Sequence, residues 1–135
     1  MNIKKIVLGT VAYTVVTFTI AIIWHVVIFE SQYVTFGYFK GEPNFLLGFF
    51  TILLQGILLS ILYPMVKLSG TDIARGMKFA LLIGVFFWTS HVLAFLAKQD
   101  VNGTLMFAGM ETLYLAVQFG VFGLLISRVY PTQVS

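Results

Sequence analysis

Four long apolar stretches constrain the fold of this sequence more than any other feature, and they lie at roughly 6–29, 44–66, 77–97 and 104–130. An α-helix needs about 20 mostly apolar residues to cross the hydrocarbon core of a bilayer, and each stretch is long enough. Charged residues, glycines and a proline lie in the segments between them. The sequence therefore predicts an all-α membrane protein with four transmembrane helices in a single domain, residues 1–135.

The amino-acid composition excludes several classes of soluble protein. Hydrophobic residues make up 59% of the chain and charged residues only 10%, whereas a globular protein has about 25% charged residues. The chain has no cysteine, which excludes a disulfide scaffold and a cysteine-ligated zinc or iron–sulfur centre. The net charge of +3 comes from basic residues scattered singly or in pairs, so we expect no nucleic-acid partner.

The distribution of lysine and arginine predicts the orientation in the membrane, because short cytoplasmic loops carry the excess of basic residues. With the N-terminus inside, six basic residues face the cytoplasm and two face outward. The inner set is Lys4, Lys5, Lys67, Arg75, Lys78 and Arg128, and the outer set is Lys40 and Lys98. We therefore expect a multi-pass protein of the cell inner membrane with both termini in the cytoplasm.

Two pairs of similar segments indicate an internal duplication. The sequence GILLSILYP at 56–64 matches GLLISRVYP at 123–131 in its Gly, Leu, Ser, Tyr and Pro positions. The sequence HVVIF at 25–29 likewise matches HVLAF at 91–95. These matches predict two duplicated helical hairpins, one at about 6–66 and the other at about 77–131. Because both would enter the membrane in the same sense, we expect parallel repeats about an axis along the membrane normal.

Polar residues within the apolar stretches mark the candidate site, since polar groups in hydrocarbon are costly and normally face the bundle interior. The rise of about 1.5 Å per residue puts His25, His91 and Glu111 at one level below the outer surface. Gln55 and Gln118 lie deeper, near the midplane. The complete set of candidate ligand or polar-core residues is His25, His91, Glu111, Gln55, Gln118, Trp24, Trp88 and Tyr114.

The aromatic residues outside this set have a simpler interpretation. Several of them lie near the expected ends of the helices, where aromatic belts form in membrane proteins. These are Tyr33, Phe36, Tyr38, Tyr63 and Tyr130. We therefore expect them at the membrane interfaces.

Four interpretations of the polar layer remain open. One is a haem with His25 and His91 as axial ligands, since facing histidines hold haem in helical bundles. A second is a metal ion, of the Zn or Fe(II) type, bound by His25, His91 and Glu111. A third is proton- or cation-coupled transport with Glu111 as the titrating group. The fourth is a hydrogen-bonded layer that fixes the helix register.

Motifs of soluble-type enzymes are missing from the sequence. It contains no Walker loop, dinucleotide fingerprint, nucleophile elbow or HExxH helix, so we assign no catalytic residue. The expected function is non-catalytic, either as an accessory subunit of a membrane complex or as a binder of a small lipophilic ligand in the bundle core. The alternative is a small cation- or proton-coupled transporter that acts as an oligomer. Expected partners are membrane lipid, other transmembrane subunits or a second copy of the chain.

The chain resembles a bacterial integral-membrane family known only as a domain of unknown function. The resemblance rests on four helices in about 135 residues, on Trp24, on the spacing of Gly84 and Trp88, and on Tyr114. Members of that family often have a Trp-Tyr pair where this chain has Trp24 and His25. The resemblance implies a four-helix membrane fold, and it implies no activity, cofactor or catalytic residue.

Overall fold

The computed structural model describes residues 2–132, and this part of the chain is entirely helical apart from its connections. Four of the helices are long and apolar enough to cross a membrane. This confirms the predicted all-α fold with four helices able to span a bilayer. In chain order the helices are α1 (Ile3–Ile28), α2 (Glu30–Phe36), α3 (Phe45–Met65), α4 (Asp72–Leu96) and α5 (Thr104–Val129).

Polar caps, more than the ends of the apolar runs, decide where three of the long helices begin. Asn2 accepts a hydrogen bond from the Lys5 amide at 3.2 Å and starts α1 earlier than the apolar pattern predicts. Thr71 accepts from the Ala74 amide at 3.3 Å, so α4 begins at Asp72, well before the predicted start at 77. A side chain that satisfies a free N–H group of the first turn stabilises the helix start even among polar residues. Asn44 does the same for α3.

The long helices pack in the order α3, α1, α5 and α4, so that α1 and α5 form the middle of the bundle. The most apolar window of α5 is 44% buried, whereas those of α3 and α4 are each 17% buried. Residues 29–44 and 97–103 connect α1 to α3 and α4 to α5 at one end of the bundle, which we call the hairpin end. The opposite end, where α1 begins and α5 ends, is the terminal end.

Small residues bring neighbouring helices close together near the terminal end. On α3, a Cβ atom added to Gly56 would lie 3.0 Å from the carbonyl oxygen of Thr10 on α1. On α4, a Cβ atom added to Gly76 would collide with the carbonyl oxygen of Gly123 on α5. Glycine at such contacts lets helix backbones approach closely, which is how helices associate in lipid. Each outer helix is therefore held against its inner neighbour by a glycine contact.

The two outer helices, α3 and α4, touch near the terminal end and separate toward the hairpin end. The rings of Tyr63 and Phe79 lie 5.0 Å apart, and the Tyr63 and Tyr130 rings lie 5.4 Å apart. Tyr130 also donates a hydrogen bond to the carbonyl oxygen of Ser60 at 2.8 Å. Beyond these contacts a cavity lies between α3 and α4. The two outer helices are therefore in contact at the terminal end and separated by the cavity closer to the hairpin end.

The short helix α2 covers the hairpin end, and the apolar pattern of the sequence does not predict it. It follows α1 directly and ends at Gly37, whose φ of 74° is the left-handed conformation that ends many helices. Tyr33 and Phe36 of α2 are buried, and the Phe36 ring packs 5.5 Å from the Phe107 ring of α5. The Asn102 amide donates to the Phe36 carbonyl oxygen at 3.2 Å. Through these contacts α2 joins the first hairpin to the second.

Candidate functional site

The centre of the site is Glu111 on α5, a carboxylate with no exposed surface. Its Oε1 atom lies 3.0 Å from Nε2 of His25, and its Oε2 atom lies 2.6 Å from Nε2 of His91. The Tyr33 hydroxyl also donates a hydrogen bond to Oε1. A carboxylate is costly to bury unless it is paired and hydrogen-bonded, and here both oxygens have partners. The structure therefore brings His25, His91 and Glu111 together at one point.

Both histidines lie on π-helical segments near the ends of their helices. Ile23–Ile28 of α1 is π-helical and contains His25, and Thr89–Leu93 of α4 is π-helical and contains His91. A π-helical turn holds more residues than an α-helical turn, and such turns are frequent at functional sites. The two imidazoles differ in exposure, because 9% of the His25 side chain but 35% of the His91 side chain is exposed. His91 is therefore the more accessible of the two.

The hydrogen bonds of His25 specify where its protons lie. Its Nδ1 atom lies 3.0 Å from the carbonyl oxygen of Ala21, which can only accept, so Nδ1 carries a hydrogen. In a neutral imidazole the other nitrogen, Nε2, then has only a lone pair, and this lone pair faces Oε1 of Glu111. An ionised carboxylate is also only an acceptor. A proton or another cation must therefore lie between His25 and Glu111.

Tyr33 is a part of the site that sequence reasoning misses, because the sequence predicts a position at the membrane interface for it. Its hydroxyl accepts a hydrogen bond from Trp24 Nε1 at 2.9 Å and donates its own hydrogen to Glu111. Burial, reinforced by the bond to Glu111, raises the pKa of the Tyr33 phenol well above its usual value. Tyr33 therefore remains a hydrogen-bond donor at physiological pH. Its proximity in sequence to Trp24 and His25 is the only signal that pointed to it.

The aromatic surroundings of His25 include two further tyrosines. The Tyr114 ring lies edge-on to the imidazole with a centroid distance of 4.5 Å. The Tyr38 ring is stacked on it at 5.8 Å, with an angle of 18° between the planes. Tyr114 is among the predicted site residues, whereas Tyr38 was assigned to the interface. These rings fix the orientation of the imidazole from two sides.

The predicted amides form a second polar layer closer to the terminal end. Tyr13 donates a hydrogen bond to Oε1 of Gln55 at 3.1 Å and accepts one from Nε2 of Gln118 at 3.3 Å. This layer therefore joins α1, α3 and α5. Sequence reasoning missed Tyr13, although Tyr13, Thr17, Ala21 and His25 follow one another at intervals of four residues along α1.

Trp88 is the one predicted site residue that lies apart from the others. Its Nε1 atom donates to the Thr112 hydroxyl at 2.8 Å, in a groove between α4 and α5 of about 370 Å³. Neither histidine lines this groove. The small residue Gly84, one turn earlier, lines the same groove. The two predicted site residues of α4 therefore face different cavities, with His91 in the His–Glu–His cluster and Trp88 in the groove between α4 and α5.

The cavity between α3 and α4 has a volume of about 560 Å³ and adjoins the His–Glu–His cluster. Its α3 wall includes Phe45, Leu47 and Thr51, which are exposed, so the cavity opens to the surroundings between the two outer helices. Its apolar lining includes Phe18, Ile22, Ile52, Phe87 and Leu115. Its polar lining comprises Thr17, His25, Asn44, Thr51, Gln55, His91, Tyr38, Tyr114 and Gln118.

The arrangement of the histidines bears on the two cofactors considered from the sequence. Both Nε2 atoms bond to the same carboxyl group, which occupies the space that a porphyrin plane would need between axial ligands. One ligand atom from each of His25, His91 and Glu111 lies within 4.8 Å of the other two. The geometry therefore favours a single ion over a haem.

The comparisons with known proteins add no further constraint. No family model matches the chain, and neither a curated protein nor a solved structure matches it. The resemblance to a bacterial four-helix membrane family therefore stays a prediction.

Proposed function

We propose that this protein is a non-catalytic integral membrane protein that binds a small lipophilic molecule with a polar group, in the cavity between α3 and α4. The observation that carries the proposal is the cavity itself, which combines a lateral opening with a polar inner wall. Its volume of about 560 Å³ falls in the range of about 300–1,000 Å³ that is typical of small-molecule sites.

The lining of the cavity defines the chemistry of the ligand. An apolar body would contact Phe18, Ile52 and Leu115, and a polar group would reach the side chains that line the inner wall. Among these, Thr17 has a buried hydroxyl with no hydrogen-bond partner. A buried polar group without a partner costs about 1–3 kcal/mol, which a ligand acceptor or donor at this point would relieve. The expected ligand therefore has at least one hydrogen-bonding oxygen or nitrogen.

The route to the cavity supports a ligand that arrives from the lipid. The opening lies between two helices whose outer faces are apolar, with exposed residues such as Leu46, Leu54 and Leu82. A molecule dissolved in the hydrocarbon layer can pass between α3 and α4 without crossing the headgroups. A water-soluble ligand would have no comparable advantage.

A pair of glycine variants tests this proposal. Gly48 lines the cavity and Gly120 lines the groove beside Trp88, and a Cβ atom at either position would meet nothing within 4 Å. We expect small molecules extracted from purified wild-type protein, and identified by mass spectrometry, to include one at about one copy per chain. Gly48→Phe should lose it and Gly120→Phe should keep it. Retention by Gly48→Phe, or loss in Gly120→Phe alone, would exclude the cavity as the binding site.

We propose a small proton- or cation-coupled transporter as the second candidate function. The observation that favours it is the asymmetry between the two outer helices, which are in contact through Tyr63 and Phe79 at the terminal end and separated by the cavity farther along. A carrier in one of its two states has such a shape, and four helices would act as an oligomer. Counterflow of the extracted ligand across vesicles that contain the protein, abolished by Glu111→Gln, would support transport. Binding of the ligand with no flux across the vesicle membrane would exclude it.

The proposed location is the inner membrane of the cell, with both termini in the cytoplasm. The support is the positive-inside rule, since Lys4, Lys67 and Arg128 belong to the terminal end. In this orientation the cavity would open in the outer leaflet. At a fusion site after Ser135, which lies outside the described residues, a reporter that works in the cytoplasm should be active. A reporter that works only outside the cytoplasm should be inactive there. A fusion within residues 97–103 should give the opposite result.

We also propose that the two hairpins arose by duplication. Gly9 on α1 approaches Ser60 on α3, and Gly76 on α4 approaches Ser127 on α5 in the same way. Each hairpin also carries its histidine on a π-helical segment of its first helix. These likenesses support the repeat that the sequence predicts, with the two hairpins as its units.

The proposed partners are membrane lipid, other transmembrane subunits or a second copy of the chain. The support is the apolar exterior of α3 and α4, since only 17% of each apolar window is buried inside the chain. In an accessory subunit these faces would contact the helices of a larger complex. Native mass spectrometry from mild detergent should then find the chain in a fixed ratio to another subunit, whereas a homo-oligomer would favour the transporter.

A further inference from the structure

We infer that His25, His91 and Glu111 form a binding site for a divalent transition-metal ion, of the Zn²⁺ or Fe²⁺ type, with its open positions facing the cavity. This inference goes beyond the proposed function, because a lipophilic ligand can bind in the cavity without an ion. It rests on the hydrogen-bonding roles of the ligand atoms, on their separation and on the groups that orient them.

The first observation is that two acceptors face each other. Nδ1 of His25 is committed to the carbonyl oxygen of Ala21, so in the neutral imidazole Nε2 presents a lone pair to Oε1 of Glu111 at 3.0 Å. Two lone pairs at that distance repel unless a cation lies between them. A metal ion supplies that cation and accepts both lone pairs at once. The deprotonated imidazole nitrogen and the carboxylate are the forms that metals bind.

The second observation is the separation of the ligand atoms. Two ligands, each about 2.1 Å from a common ion, lie about 3.0 Å apart at an octahedral angle and about 3.4 Å apart at a tetrahedral angle. The separation between His25 Nε2 and Glu111 Oε1 is 3.0 Å. His91 completes the set, because its Nε2 atom lies 2.6 Å from Oε2 of the same carboxylate and the three ligand atoms lie within 4.8 Å of one another. Two imidazoles and one carboxylate on one side of an ion are the ligand set of non-haem Fe(II) sites, and the same ligand types suit Zn²⁺.

The third observation is that groups around the ligands already hold them in position. A metal-binding histidine normally donates its other ring N–H to a carbonyl or carboxylate, and His25 does so to Ala21. Ligating carboxylates are in turn hydrogen-bonded, as Glu111 is by Tyr33, which itself accepts from Trp24.

The position of the cavity makes the site an open one. His25 and His91 line the cavity, whereas Glu111 lies behind them on α5. With three protein ligands, the remaining coordination positions of the ion would face the cavity. Open positions of this kind bind water or a ligand atom, in contrast to structural sites with four protein ligands. The polar group of a molecule in the cavity would be well placed to coordinate the ion.

The test is a metal titration of the purified protein in detergent, carrying an affinity tag without histidine. After treatment with a chelator, the wild-type chain should bind one Co²⁺ per chain and develop a visible absorption band, which Zn²⁺ should remove by competition. Elemental analysis should give the same ratio for Zn²⁺. A proton in place of the ion would leave the protein without metal at micromolar Co²⁺ and Zn²⁺, and that result would overturn the inference.

Matched variants assign the ion to the three residues. His91→Asn removes a ligand at a partly exposed position, so the chain should still fold, and Co²⁺ affinity should fall at least about 100-fold. Tyr33→Phe leaves the ligands in place and should weaken binding by about 10–100-fold. Trp88→Phe, in the groove between α4 and α5, should bind as the wild type does. Equal binding by His91→Asn and the wild type would place the ion elsewhere and refute the site, whether or not the cavity holds a ligand.

Discussion

The hairpin of α1 and α3 and the hairpin of α4 and α5 are alike near the terminal end but differ at the hairpin end. Near the terminal end each is held by a glycine contact, at Gly56 in the first and at Gly76 in the second. At the hairpin end the first hairpin continues into α2 and residues 37–44, whereas the second has only residues 97–103. The likeness therefore concerns helix packing, and the difference concerns the connections.

This difference explains how one carboxylate acquires three partners. The first hairpin supplies His25 and, through its longer connection, Tyr33. The second hairpin supplies Glu111 and His91. The candidate site is therefore a joint product of both hairpins, and neither hairpin contains it alone.

The largest expected effect comes from removing the carboxylate that joins the hairpins. Glu111→Ala leaves His25, His91 and Tyr33 without their partner in a buried site. Each buried polar group left without a partner costs about 1–3 kcal/mol, and His25 and Tyr33 are both buried, so the free energy of unfolding in detergent should fall by about 2–6 kcal/mol. Leu113→Ala, on the exposed side of the same helix, is the control and should have little effect. An equal loss in both variants would mean that the cluster does not hold the hairpins together.

The next prediction concerns the glycine contacts that the hairpins share. Gly76→Ala would press a methyl group against the Gly123 backbone, and Gly56→Ala would press one against Thr10 at 3.0 Å. Overpacking of this kind costs about 1–3 kcal/mol, and Gly76→Ala should be the more damaging because its contact is the closer. Gly109→Ala, with nothing within 4 Å, should be neutral or slightly stabilising in thermal unfolding. If Gly76→Ala left thermal unfolding unchanged, the second hairpin would not depend on a close glycine contact as the first is expected to.

A double-mutant cycle measures the coupling between the two histidines. His25→Ala and His91→Ala each remove a partner of the same carboxylate, so their effects on the free energy of unfolding should be non-additive. Residues that share a partner couple by about 0.5–3 kcal/mol. The cycle of His25→Ala with Leu113→Ala should show no coupling. Additive effects of the two histidine changes would mean that the hairpins do not meet at a common site.

The smallest expected effect compares the two connections. Gly37 ends α2 with a φ of 74°, and Gly103 precedes α5 with a φ of 71°. Alanine at either position is strained in the left-handed conformation, which costs about 1–2 kcal/mol. A Cβ atom at Gly37 would meet nothing within 4 Å, and one at Gly103 would make only an ordinary contact with Phe36. Gly37→Ala and Gly103→Ala should therefore lower the unfolding temperature equally. A larger loss at one position would reveal a packing role there.

The sequence predicts the spanning helices and the three central site residues because lipid makes polar groups conspicuous. A histidine or a carboxylate within an apolar run needs a partner, so His25, His91 and Glu111 stand out. Aromatic hydroxyls are ambiguous, since a tyrosine suits both a membrane interface and a buried hydrogen bond. For that reason Tyr13 and Tyr33 were missed. The division of Trp88 from His91 was also unpredictable, because their spacing of three residues suits one face only in a regular α-helix.

The π-helical segments make the geometry of the cluster depend on chain length. Each residue of an α-helix turns the next side chain by about 100°, since 3.6 residues make one turn. Deleting Ile23, an exposed residue at the start of the π-helical segment of α1, would restore a regular turn and rotate His25 away from Glu111. No polar residue would be lost from the chain. Two chains that differ only by one residue in length at that point would therefore have almost the same composition, but only one of them would form the cluster.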